Sequence, residues 1–152
     1  VAPSFRFRLE RVRVVRERKE KLAQRELANA LSRHSSSVSE LRSADDRVEH
    51  AREQQRSAAA QSAALTGGEL LARQAFLERS EAQRRMRERD LKQREAEVSA
   101  RDRELTSAAS EHEMLKRLRE RRRGEHDREA ARQEMSTLDE IAVTRFVRGS
   151  QA

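Results

Sequence analysis

Ala64-Leu65-Thr66-Gly67-Gly68-Glu69 is the stretch whose reading decides the fold. It is the only place in the first 120 residues where two glycines adjoin. Positions on either side mirror each other about it. Leu41 and Leu91 lie equidistant from Thr66, as do Leu27 and Leu105, Val48 and Arg84, and His34 and Val98; each pair of numbers sums to 132. A reversal at Thr66 sets these pairs opposite one another. The expected fold is therefore all-α: a long antiparallel two-helix coiled-coil hairpin with the second helix longer than the first. The turn chemistry supports a reversal in two ways. A left-handed Gly67 or Gly68 would end the first helix, and Thr66-Gly67-Gly68-Glu69 has the pattern of a capping box opening the second.

Working outward, the first helix is expected over about 4–63, the turn over about 64–68 and the second helix over about 69–147, as a single domain spanning 1–152. Pro3 and Ser4 can open a helix, with Phe5, Leu9, Val12 and Val15 following at three- and four-residue steps. The pattern is ragged from Lys19 to Glu26. From there Leu27, Leu31, His34, Val38, Leu41, Asp45, Val48, Arg52, Gln55 and Ala59 alternate in steps of four and three, a coiled-coil seam. Ser35-Ser36-Ser37 lowers helix propensity but lies within the regular seam. The second helix repeats every seven residues through Leu70, Leu77, Arg84, Leu91, Val98, Leu105 and His112. Arg73, Ser80, Arg87, Arg94 and Arg101 form one flanking stripe, and Glu81, Glu88, Glu95 and Asp102 the other. Glu81–Arg85, Glu88–Lys92, Glu97–Arg101 and Glu113–Arg117 are spaced as i,i+4 ion pairs. Gly124 is positioned to mark a bend.

Composition fits such a fold better than a globular one. Charged residues make up 40% of the chain and hydrophobic residues 35%, with four Phe and no Trp or Tyr. A long helix stays ordered on one narrow apolar stripe; a compact domain needs more bulk than this. High charge with few aromatics is also the mark of disorder, and the heptad spacing of Leu and Val argues for helix. The net charge of +7 combines 34 basic with 27 acidic residues. The nearest approach to an unbroken basic block is Lys116-Arg117-Leu118-Arg119-Glu120-Arg121-Arg122-Arg123, interrupted by Glu120. It reads either as a solvated helix face or as a contact for nucleic acid or an acidic protein. No aromatic residue stands beside it to stack on bases.

Nothing in the sequence supplies catalysis. There is no Cys, so sulfur-based zinc sites and thiolate chemistry are excluded. His34, His50, His112 and His126 are scattered, and a seam position explains His34 and His112. Gly67-Gly68 lacks the wider spacing and the Lys-Ser/Thr of a phosphate-cradling loop. No enzyme, cofactor or metal is expected. No apolar run approaches the roughly 18–20 residues of a membrane span, and Val1 to Val15, with Arg at 6, 8, 11 and 13, lacks the apolar region of a secretory signal. One surface invites a partner. Residue 4 should face about residue 128, so the second helix overhangs, ending in the apolar cluster Met135 to Val147. That cluster is either a docking surface, packed back on Phe5 and Phe7, or paired with a second copy.

The two ends are the most specific part of the chain. Phe5-Arg6-Phe7-Arg8-Leu9-Glu10-Arg11-Val12, then Val14-Val15-Arg16-Glu17-Arg18-Lys19-Glu20 and Arg25-Glu26-Leu27-Ala28, resemble the opening of the FliJ family of the bacterial flagellar type III export apparatus. Leu138-Asp139-Glu140-Ile141-Ala142 with Arg145-Phe146 resembles that family's C-terminal signature. The resemblance implies an antiparallel two-helix coiled coil similar to the stalk of rotary ATPases, with injectisome stalk proteins as analogues. It implies three partners: the flagellar export ATPase, whose central hole takes the chain ends, the membrane export gate protein, and export chaperones that it escorts. It also implies a bacterial cytoplasmic location, peripheral to the membrane through those partners, and no nucleic acid. The implied ATPase-docking residues are Phe5, Phe7, Leu9, Leu138, Ile141, Ala142 and Phe146. The implied gate contacts are Leu41, Val48, Phe76 and Leu77, with Ser80 and Arg87 departing from the larger apolar groups expected beside them. A basic nucleic-acid-associated coiled coil and a homodimeric scaffold are the alternatives.

Overall fold

A computed structural model describes residues 4–60 and 66–149, with side chains placed to residue 146. The protein is two α-helices packed against each other as a hairpin: α1 over Glu10–Ala60 and α2 over Gly67–Gly149. Both pass through their weak points. Ser35-Ser36-Ser37 is helical in α1, and α2 runs through Gly124 without a break. Contacts divide the chain into two compact units, one built from Val1–Glu20 and Ser107–Ala152, the other from Lys21–Thr106.

The capping box forms. The Thr66 amide donates to Glu69 Oε2 at 2.8 Å, and the Glu69 amide donates to Thr66 Oγ1 at 3.3 Å. These bonds use amides that the first turn of a helix leaves without partners. They also hold the Glu69 carboxyl below its ordinary range, the Thr66 amide being the main cause. The left-handed glycine does not form. No described residue has a positive φ, and Gly67 and Gly68 are the first two residues of α2. They start a helix and do not end one. Ala64 and Leu65, the other half of the expected turn, lie outside the described residues.

The start of α1 also differs from expectation. Residues 4–7 are not helical, and the helix begins at Glu10, not near residue 4. Side-chain geometry explains this. In a helix, Phe5 and Phe7 would project about 200° apart, whereas an extended chain turns both to one side. Phe5 and Phe7 are half-buried, while Arg6 and Arg8 are exposed.

In the Lys21–Thr106 unit the two segments run antiparallel in nearly the expected register. Arg33 pairs with Glu97, Arg84 with Asp45, Arg87 with Glu40 at 2.8 Å and Arg52 with Glu81 at 3.1 Å. These numbers sum to 130, 129, 127 and 133, beside the 132 read from the sequence. Of the expected i,i+4 pairs, Glu88–Lys92 forms at 3.7 Å and Glu113–Arg117 at 3.0 Å. Glu81 and Glu97 reach across to α1 instead.

The seam itself is rotated from the expected one. Leu27, His34, Leu41, Val48 and Gln55 turn inward as anticipated. Their most deeply buried companions are Ala30, Ala44, Ala51 and Ala58, three residues on; of the expected row four residues on, Val38 and Asp45 are half-buried, while Leu31, Arg52 and Ala59 stay exposed. Ala30, Ala44, Ala51 and Ala58 are buried, whereas Leu31 stays 49% exposed. On α2 the inward partners of Leu77, Arg84, Leu91, Val98 and Leu105 are Ser80, Arg87, Arg94, Arg101 and Ala108. The arginine stripe expected to flank the seam therefore lies partly inside. Small side chains every seven residues let two helices approach closely. Arginine stems beside them cover apolar surface and carry their charged ends out to Glu40 and Glu97.

Candidate functional site

The candidate site belongs to the unit that joins the chain's two ends. Its first part is the non-helical lead-in, residues 4–9, lying along α2. Phe5 meets the His126 ring at 5.6 Å between centroids, tilted by 60°. Phe5, Phe7 and Leu9 line an open cleft of about 890 Å³ with Leu118, Arg122 and His126. The lead-in passes into α1 through a turn, with the Glu10 amide donating to Phe7 O at 3.1 Å. Glu10 then bonds Arg13 at 2.7 Å and reaches Arg119 of α2 at 3.5 Å. The Arg13 guanidinium is the chief reason the Glu10 carboxyl sits below its usual range. Further in, His112 Nδ1 and Glu20 Oε2 are 2.6 Å apart, while His112 Nε2 is buried with no hydrogen-bond partner.

The second part of the site is α2 beyond the lead-in. Every described side chain over residues 131–146 is exposed. At 100° per residue, Met135, Leu138, Ile141, Ala142 and Phe146 share one face spanning about 140°. Leu138 is 64% and Phe146 78% exposed. No described residue covers this stripe. Phe5 and Phe7 dock upstream, against Leu118 and His126, so the stripe does not pack back on them.

The seven expected ATPase-docking residues thus fall into two groups. Phe5, Phe7 and Leu9 gather in the cleft; Leu138, Ile141, Ala142 and Phe146 gather on the stripe. The four expected gate residues lie in the other unit and are not equivalent. Val48 is 2% exposed and Leu41 and Leu77 are half-buried, all three facing the seam. Phe76 stands outside it, 41% exposed. Ser80, which departs from the expected larger group, is buried and donates to Phe76 O at 2.9 Å. Sequence reasoning passed over Arg6 and Arg8. The alternation Phe-Arg-Phe-Arg-Leu was the available signal for an extended segment with one apolar and one basic side.

A hairpin of two helices with an uncovered apolar stripe at its chain ends defines a coiled-coil-like interaction protein. Comparison with known families makes this particular. A family described as flagellar FliJ protein matches residues 5–151, and the chain belongs to that family. It is a protein related to flagellar export. No curated protein and no solved structure matched the chain. Among the described residues, no helix is long and apolar enough to cross a membrane.

Proposed function

We propose that the protein is a coiled-coil stalk of the flagellar type III export apparatus, docking in the ring of the export ATPase by the end that carries its termini. The supporting observation is the uncovered stripe of Leu138, Ile141, Ala142 and Phe146 on α2. An exposed apolar face of this kind is stable in water only at a cost that a partner removes. Phe76 is the side chain best placed for the gate contact, because Leu41, Val48 and Leu77 spend their surface within the seam. Escort of export chaperones and a peripheral position at the inner membrane face complete the reading, and both come from the family. The test is a pull-down with the export ATPase of the same bacterium. Replacing Leu138, Ile141 and Phe146 together by Ala should abolish both capture and swimming. Wild-type capture and motility in that variant would refute the docking role.

A further inference from the structure

Most of the chain's regularly placed arginines are matched by acids. Within Lys116 to Arg123, Lys116 and Arg117 pair with Glu113, Arg119 with Glu10, Arg121 and Arg122 with Glu125, and Arg123 with Asp127. The arginines that repeat every seven residues on α2 are matched too: Arg87 pairs with Asp90, Arg94 with Glu97 and Arg101 with Glu104, each three residues on. One row on α1 differs. Arg11, Arg18 and Arg25 also stand seven residues apart, and all three are exposed. None has an acid three or four residues away on either side, where a helix would bring one beside it. None makes an ion pair with a described residue. Between them stand Val15 and Leu22, 60% and 58% exposed. These five residues form one strip. α1 is a single helix across them, and at 100° per residue they share a sector of about 80°. The strip faces away from α2. Glu20, which is 2.6 Å from His112 of α2, projects about 180° from Arg11. Leu27, which turns toward the seam, projects about 160° from Arg25.

We propose that this strip docks an acidic helix of another protein, laid along α1 as a third helix beside the hairpin. The proposal goes beyond ATPase docking and does not rest on it, because the strip is on α1 and the apolar stripe on α2. The arginines recur about every 10.5 Å along α1, and a helix packed lengthwise on it repeats every seven residues in the same way. Acids placed once per heptad on such a helix meet all three guanidiniums. Each guanidinium fork matches a carboxylate with two parallel hydrogen bonds. Val15 and Leu22, also seven residues apart, supply the apolar contacts between the charged ones. The chain's net charge of +7 draws an acidic partner toward it. A lipid surface fits less well, since a membrane-binding helix offers a continuous apolar face and arginines interrupt this one. Nucleic acid fits less well too, since no aromatic side chain on the strip can stack on a base.

The test measures binding of the full-length chain to a labelled synthetic helix that carries one Glu and one Leu per heptad on one face, by fluorescence anisotropy across a salt series. Arg11→Glu, Arg18→Glu and Arg25→Glu together should weaken binding roughly tenfold or more at low salt and flatten its salt dependence. Helicity by circular dichroism should not change, since these side chains pair with nothing in the fold. The Arg→Lys triple should keep the salt dependence and lose only part of the affinity. Val15→Ser with Leu22→Ser should weaken binding at every salt concentration and leave the slope as it is. A scrambled peptide of the same composition should bind much more weakly; equal binding would reduce the strip to unspecific charge and overturn it. No binding of the synthetic helix by the wild type, or equal binding by the charge-reversed variant, overturns the strip and leaves ATPase docking intact. The variant with Leu138, Ile141 and Phe146 replaced by Ala should bind the helix as the wild type does, and a loss there would move the contact to the stripe. Phosphatidylglycerol vesicles or random duplex DNA bound more tightly than the helix, with the same arginine dependence, would overturn the choice of partner.

Discussion

Gly68 illustrates how one backbone angle reverses the sign of a prediction. A left-handed glycine at a helix end is damaged by any side chain. Gly68 is the second residue of α2, has no positive φ, and a Cβ added there meets nothing within 4 Å. Gly68→Ala should therefore raise the melting midpoint, through the entropy the unfolded chain loses. A lowered midpoint in a circular dichroism melt would contradict the helical assignment. Gly124→Ala, in the interior of α2 with equally open space, should stabilise by about 1 kcal/mol. Thr66→Ala removes one half of the capping box and should cost about 1 kcal/mol in the same measurement. Its partner Glu69 then loses its amide donor's geometry, so its carboxyl should titrate closer to the ordinary value by NMR.

At the scale of the element, α1 offers two faces that share Leu27, His34, Leu41, Val48 and Gln55. The folded helix uses the alanine side of that row. Ala51 is 4% exposed, so Ala51→Leu forces methylenes into a closed gap and should destabilise by about 1–3 kcal/mol. Leu31→Ala, at a half-exposed position, should cost less than about 1 kcal/mol. Urea titration orders the two variants, and the reverse order would place Leu31 and not Ala51 in the seam. The lead-in is an element of a different kind. It has no helical hydrogen bonds before the turn at Glu10, and what holds it is the packing of Phe5 and Phe7 on α2.

At the scale of the molecule, the helices are held by a thin core. Among the described residues, the buried side chains are alanines, Val48 and Ser80, and no Leu, Ile, Met or Phe is buried. Each buried Leu or Val is worth roughly 1.5–3 kcal/mol, and alanine less. The ion pairs between helices are mostly half-exposed, where a pair contributes about 0–1 kcal/mol. The isolated protein should melt broadly and at modest temperature, and a sharp transition above about 80 °C would show a core stronger than this one. Acidification has a definite sign. Glu10, Glu69, Glu97 and Glu113 are all held below the ordinary carboxylate value of 4.5, by Arg13, the Thr66 amide, Arg94 and Arg117 respectively. A depressed folded-state pKa stabilises the fold above the unfolded value and loses that stabilisation as pH falls through the folded one. The melting midpoint should stay level near neutrality and drop below the ordinary carboxylate range. A midpoint that rises on acidification would mean these carboxylates are not held by the partners named.

Two helices, their antiparallel register and the capping box at Thr66 were legible in the residues. Heptad spacing, mirror symmetry about a Gly-Gly pair and a Thr-x-x-Glu motif are local or periodic signals that survive without knowing what packs on what. The ends of the chain were legible as family signatures, but not the conformation of residues 4–9. Phe5, Phe7 and Leu9 satisfy a helical and an extended spacing at once, and docking beside His126 resolves them. The second row of the seam was misplaced for a related reason. Hydrophobicity alone prefers Leu31 to Ala30, yet Ala30 is the buried one. The distance between two packed helices depends on the side chains of both, and a small residue facing an arginine stem has no signature in either helix alone. Which arginines are free is likewise a property of the fold, because Glu10 reaches Arg119 from the other helix, whereas Arg11, Arg18 and Arg25 lie on the face of α1 turned away from α2 and meet no acid there.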